Sequence, residues 1–292
     1  MFQLLLGQVI SGLAVGMVFF LIAAGLSMVL GTLGVLNIAH ASFYMLGAYL
    51  CYTVTHYLGP SSPYMFWLAL LIAPIGVAIF GGIIEVLLLR PLYKTELLYQ
   101  LILTFGLILI IGDLVKLTWG VEYYRVSEPW PLQGRVSILG TTLSFYHLFI
   151  VASGPIVLLL NWALFHKTRL GRVVRAVTHS REMSSALGIN VPHVYTGVFM
   201  FASWLAGLGG TLMAPMSSVF LGMDAIVSIE CFIIIVIGGL GSLNGAFLGA
   251  IIYGLANSLG ILVLPKLAIA FGFILMAAIL ILRPWGLMGR PE

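Results

Sequence analysis

HKTRLGRVVRAVTHSREMSSALGINVP, residues His166–Pro192, is the one long polar interval in a chain that is otherwise apolar, and it holds five of the thirteen lysines and arginines. Long hydrophobic runs lie on both sides of it. It is therefore the place where the chain meets water, and the flanking runs decide the fold class. Hydrophobic residues make up 61% of the 292 and charged residues 8%, against roughly 25% charged in soluble domains. This predicts an all-α integral membrane protein. A hydrocarbon core of about 30 Å takes about 20 helical residues at about 1.5 Å each, so the length holds about eight to ten spans. Residues 1–292 are read as a single transmembrane domain, with 166–192 as its cytoplasmic loop.

Outward from that loop, hydropathy places nine spans: Val9–Leu30, Ile38–Tyr57, Tyr64–Leu89, Leu98–Leu117, Phe145–Phe165, Val194–Met213, Ile226–Ile237, Leu243–Val263 and Ala268–Leu282. The opening MFQLLLGQVI has no basic residue, which argues against a cleaved signal peptide. With the N-terminus outside, Arg90, Lys94, Lys167, Arg169, Arg172, Arg175, Arg181, Arg283 and Arg290 face the cytoplasm. Lys116, Arg125, Arg135 and Lys266 face out. Nine against four favours that orientation in a cell (inner) membrane, with the C-terminus cytoplasmic. Trp119–Ser144 then forms an outer loop whose Trp119, Tyr123, Tyr124 and Trp130 suit the headgroup level. Gly59–Pro63, GPSSP, is an ordinary outer turn.

Two places break the apolar runs. In Gly31–His40, GTLGVLNIAH, an asparagine and a histidine at membrane depth need partners or water. The reading is a broken helix near the centre of the bundle, with Asn37 capping the helix that follows and Asn37 and His40 facing a translocation path. In Gly238–Gly254, GGLGSLNGAFLGAIIYG, Gly239, Gly241 and Asn244 are assigned to the same path. Gly241, Gly245 and Gly249 recur every fourth residue, so they share a helix face, where Gly245 and Gly249 serve close packing. Ile226–Ile237, at about 18 Å, is too short to span unaided, and the pair of short, glycine-interrupted segments is the pattern around a transporter's central site. Gly207, Gly209 and Gly210 form another small-residue face, and Cys51 and Cys231 read as small buried hydrophobes. Asp113 and Lys116 are spaced to pair, and Glu85 reaches the interface near Arg90.

Within the loop, Ser180 is an N-cap, Glu182 sits in the first turn, and Gly188 stands at the C′ position. A two-turn helix over Arg181–Leu187 follows, with Met183, Ala186 and Leu187 as a small apolar knob. A helix this short needs something to hold it, so it is read as a docking piece for a protein partner. Lys167, Arg169, Arg172 and Arg175 fix topology and approach the partner or anionic lipid.

GVLNIAHASFYMLGAY at Gly34–Tyr49, TRLGRVVRAVTHSREMSSALGINV at Thr168–Val191, VIGGLGSLNGAFLGAIIYG at Val236–Gly254 and LRPWGLMG at Leu282–Gly289 occur in one order along the chain. In them the sequence resembles the permease subunits of ABC importers for branched-chain amino acids, in particular the shorter, LivH-type member of the pair. It departs at Ala41, where the family motif usually has glycine. The resemblance implies a second, LivM-like permease, two cytoplasmic ATPases that hold the ATP, and an outer substrate-binding protein. It also makes Ser180–Gly188, with Arg175, the ATPase-coupling element. No cofactor and no nucleic acid are expected on this chain, which has no G-x-x-x-x-G-K-[ST]. The competing classes are a secondary transporter or passive channel for a solute such as urea, which lacks its proton-relay residues here, and a membrane enzyme, for which H-E-x-x-H and G-x-S-x-G are missing.

Overall fold

Helix α1, Phe2–Leu33, is 32 residues long and apolar on every side, and such a helix belongs inside a bundle. In the computed structural model, which describes residues 2–58, 62–93, 95–138, 140–263, 265 and 268–289, α1 is the central post: every side chain from Met17 to Leu26 is buried. Around it stand α2 (His40–Tyr57), α3 (Met65–Ile84), α4 (Leu97–Trp119), α5 (Phe145–Lys167), α8 (Val191–Met213), α9 (Met223–Gly238), α10 (Leu243–Val263) and α11 (Ala268–Leu282). Helices α6 (Arg169–His179) and α7 (Arg181–Ala186) occupy the polar loop. Gly59–Ser61 of the expected turn, and Lys94, Lys266 and Arg290 of the charge count, lie outside the described residues.

Among the described residues, six helical segments are long and apolar enough to cross a membrane: Gln3–Leu33, Met65–Leu92, Leu97–Trp119, Phe145–Lys167, Val191–Met213 and Leu243–Val263. The other three of the expected nine fall short for different reasons. Helix α2 carries two histidines, four tyrosines and two threonines in 18 residues, while α9 and α11 have 16 and 15 residues, about 24 and 22 Å. The stretch expected as a 12-residue segment at Ile226–Ile237 is longer at both ends, because the left-handed Gly222 (φ 93°) starts it and Gly239 (φ 102°) stops it.

Packing is by backbone contact. A Cβ on Gly12 would lie 2.6 Å from the Gly254 carbonyl oxygen, and one on Gly16 would lie 2.6 Å from that of Ala250, so α1 and α10 touch main chain to main chain. Gly47 of α2 does the same to Gly207 of α8, and Gly210 of α8 meets the Tyr44 carbonyl. Without a hydrophobic drive between helices in lipid, such contact lets dispersion forces hold the bundle. Helices α4 and α5 lie at the periphery and present Ile102, Phe105, Leu109, Leu159 and Leu160 outward, as lipid-facing surface should. Cys51 and Cys231 are free and buried.

At one end, β1 (Arg135–Ile138) and β2 (Thr141–Ser144) form an antiparallel hairpin. There Trp119 donates to Thr53 (2.8 Å), Trp67 donates to the Trp130 carbonyl (2.8 Å), and Tyr124 and Val219 exchange two backbone bonds of 2.9 Å. The expected interfacial loop is therefore a folded cap. Thr141 reaches the Gln3 carbonyl at 3.2 Å, which places the start of α1 at this end. Helix α7 lies at the other end, beside the close of α1.

Candidate functional site

The polar loop folds as two helices. Thr168 begins α6: its hydroxyl accepts from the Gly171 N–H at 3.2 Å and donates to the Leu164 carbonyl at 2.6 Å. Gly171 and Val177 turn inward while Arg172 and Arg175 turn out. The basic residues here point to topology and to an approach to the partner or lipid, not to a helix, although Leu170, Val173, Val174 and Val177 carry its period. Arg175 belongs to α6, where it donates to the Phe165 carbonyl at the end of α5, a favourable place for a cation. It therefore stands apart from the apolar knob with which it had been grouped.

Helix α7 has both its caps. The Ser180 hydroxyl accepts from the Met183 N–H at 3.2 Å. Gly188 takes φ 83°, its N–H donates to Ser185 and that of Ile189 to Ser184, both at 3.0 Å. That pair of bonds with a left-handed glycine is the Schellman termination. Ser184 is the buried member, whereas Met183 and Leu187 are 63% and 76% exposed, and Ala186 and Glu182 face out beside them. The apolar residues thus point into water, inverted from an ordinary surface helix.

Inward from α7, Arg181 donates to the Leu33 carbonyl at 2.8 Å and lies 5.3 Å over the Tyr195 ring. Next to it is a polar cluster around Glu85, the residue expected to reach the interface near Arg90. Glu85 is fully buried and accepts from Arg90 (3.1 Å), Tyr93 (2.8 Å) and Thr196 (2.7 Å). Among the described residues Arg90–Glu85 is the only ion pair. Asp113 and Lys116, expected to pair, are both exposed on α4 without meeting. Burial, then the bond to Glu85 and its charge, push the Tyr93 phenol above its ordinary value, so it stays a donor.

The two glycine breaks lie at the α7 end and meet there: a Cβ on Gly31 would sit 3.2 Å from the Gly241 Cα. They are not at mid-bundle, because α1 runs unbroken to Leu33. Asn37 caps nothing. Helix α2 starts at His40, its N-cap position is Ala39 with no side-chain bond, and Asn37 and His40 are each 1% exposed with both polar side-chain atoms unpaired. Ala41 lies in the first turn of α2, where helical φ, ψ suits alanine, so the departure there carries no strain. Gly241 precedes α10 with φ 76° and is not on its face. Gly239 packs on the C-terminal Gly289 and Trp285. Asn244 is exposed on α10, while Gly245 meets the Gly238 carbonyl and Gly249 that of Ile234 at 2.5 Å.

Residues 8–282 match the family model described as branched-chain amino acid transport system / permease component. The chain is 31% identical to the high-affinity branched-chain amino acid transport system permease protein BraD of Pseudomonas aeruginosa, over 98% of this chain and 96% of that one. It is 30% identical to the permease protein LivH of Salmonella typhimurium, over 100% and 97%. The permease protein LivM of Escherichia coli matches at 26% over 94% and 69%. No solved structure matches.

Proposed function

The chain belongs to the family of branched-chain amino acid transport permeases, and within that family we propose that it works as the LivH-type half of a pair. It is a permease subunit of an ABC importer, not an enzyme. A LivM-like permease completes the path, an outer binding protein delivers a branched-chain amino acid, and two ATPases bind in the cytoplasm. The likeness to both LivH and LivM relatives supports an unlike pair. The N-terminus and the hairpin cap then lie outside, with α7 and the C-terminus in the cytoplasm, which agrees with the distribution of basic residues.

The observation that carries the reading is the doubly capped α7 with its apolar residues in water. Met183, Ala186 and Leu187 fit a cleft on an ATPase, with Ser180, Glu182 and Gly188 fixing the helix that bears them. ATP binding closes the ATPases, shifts α7 and selects between outward- and inward-open states through contacts that differ between them. The path is assigned to the region of Asn37, His40, Gly239, Gly241 and Asn244. Its support is that four buried polar atoms on Asn37 and His40 lack partners here and would find them in another arrangement or around a hydrated solute.

Reconstituted in vesicles with its partners, the complex is expected to take up leucine, isoleucine or valine only with ATP; no ATP-dependent uptake of any of them, with urea transported instead, overturns the substrate. Met183→Cys should crosslink to an ATPase cysteine, and Ala186→Arg should cut substrate-stimulated ATPase activity about tenfold with membrane insertion intact. Absence of the crosslink from an assembled complex removes α7 as the docking element.

A further inference from the structure

Among the described residues, the side-chain hydrogen bond that joins α7 to a helix other than its chain neighbours α6 and α8 is made by Arg181. Arg181 reaches back from its first position to the carbonyl of Leu33, the last residue of α1, at 2.8 Å. That carbonyl is one of those a helix end leaves without an internal partner, and a guanidinium suits it both as donor and as a positive charge at the negative end of the helix dipole. The next residue, Gly34, has φ 70°, and a Cβ there would lie 3.6 Å from the same guanidinium nitrogen. Arg181 therefore grips α1 at the point where the chain leaves the helix and turns toward Asn37 and His40.

The central carbon of the same guanidinium lies 5.3 Å from the centroid of the Tyr195 ring. Tyr195 meets Tyr93 edge to face at 5.5 Å, and Tyr93 donates to Glu85 at 2.8 Å. Glu85 also takes Arg90 at 3.1 Å and Thr196 at 2.7 Å, which joins the end of α3 to the first turns of α8. Six side chains thus link α7 to the ends of α1, α3 and α8. The side chains of Arg90, Tyr93, Arg181 and Tyr195 line a cleft of about 410 Å³, so one side of the chain of contacts is open and has room to shift.

We propose that Arg181 is the positioning residue through which displacement of α7 reaches the close of α1, with the Tyr195–Tyr93–Glu85 contacts as the branch that carries it to α3. This deepens the docking role given to α7 and rests on it. The linkage has the chemistry of a grip that can be released. A charged donor on a carbonyl and a cation over a ring both reform after sliding, unlike interlocked apolar side chains. A shift of α7 of a few ångströms would either pull the 34–39 segment with it or free the Leu33 carbonyl, and each outcome changes the surroundings of Asn37 and His40.

The test uses the complete reconstituted complex with the Met183→Cys crosslink as an independent report of docking. Arg181→Gln is expected to lower the solute moved per ATP hydrolysed about fivefold or more while the crosslink still forms. Arg181→Lys should recover part of that ratio, because an ammonium can donate to the carbonyl but lacks the broad guanidinium head that also reaches Tyr195. Tyr195→Leu should lower the ratio less than Arg181→Gln, and the double variant should fall no further than Arg181→Gln alone. An unchanged ratio in Arg181→Gln, or additive losses in the double variant, overturns the linkage. Loss of the crosslink in the Met183→Cys parent overturns the docking reading itself. If Arg181→Gln fails to assemble, Arg181→Lys and Tyr195→Leu carry the same measurement, and unchanged ratios in both overturn the proposal.

Discussion

The two ends of the bundle are built from different bonds. At the hairpin end the contacts are aromatic packing and hydrogen bonds between neutral groups, with the Tyr49 hydroxyl and His147 Nδ1 left unpaired. Trp119 donates to Thr53 and packs 5.2 Å from Tyr49, Tyr52 lies 4.3 Å from Tyr124, and Tyr124 is bound through its backbone to Val219. At the α7 end the contacts are charged or incomplete: Arg181 holds a carbonyl, Glu85 gathers three donors, Asn37 and His40 have none, and three apolar residues face water. An end held by packed aromatic rings and neutral hydrogen bonds resists rearrangement. An end with unpaired groups and reversible contacts has somewhere else to go, and this is where the proposed ATPases would act.

Three substitutions set one end against the other. Trp119→Ala removes a large, partly buried side chain and a hydrogen bond from the hairpin end, and should cost about 2 kcal/mol of stability, read as a lower melting temperature in detergent. Transport per folded complex and solute moved per ATP should stay as they were; a changed ratio would show that the hairpin end also moves. Asn37→Leu has the opposite signature. It replaces a buried amide without partners by an apolar group of similar size, so stability should rise by about 1–2 kcal/mol while uptake falls. A stable variant that transports normally would reduce Asn37 to a packing residue. Ser180→Ala removes the α7 N-cap at about 1 kcal/mol of local helix stability. It should weaken substrate-stimulated ATP hydrolysis severalfold and leave the melting temperature within a degree or two.

Much of this contrast was legible in the sequence, where it depends on neighbours along the chain. The helical bundle follows from runs of apolar residues, and the caps of α7 follow from Ser180 and Gly188, because capping is settled within four residues. Helix α6 also had a local signal, in Thr168 and the valine stripe, but the density of arginine there suggested anchoring instead. What could not be read depends on distant partners. Nothing near Glu85 in the sequence announces Thr196, and nothing near Leu33 announces Arg181. Asn37 misled for a related reason: its residue type favours a cap, but the chain makes two more turn residues before α2 begins at His40. The depth of the glycine breaks was misjudged because α1 continues past the length a membrane requires.

Between α3 and a short 3₁₀ turn at Arg90–Leu92, residues Glu85–Leu89 form a π-helix, and the Arg90 N–H bonds to the Glu85 carbonyl. In an α-helix, positions five apart point about 140° away from each other, so Glu85 and Arg90 would not meet. The wider turn brings them onto one side, and main chain and side chains then bond across the same five-residue interval. The chain holds one residue more than the α lattice needs here, which offsets everything after it by about 100° in phase. That offset works like a dislocation in a crystal: a local defect that sets the registry of the next stretch, and that can be annealed or moved by gaining or losing a single turn of hydrogen bonding.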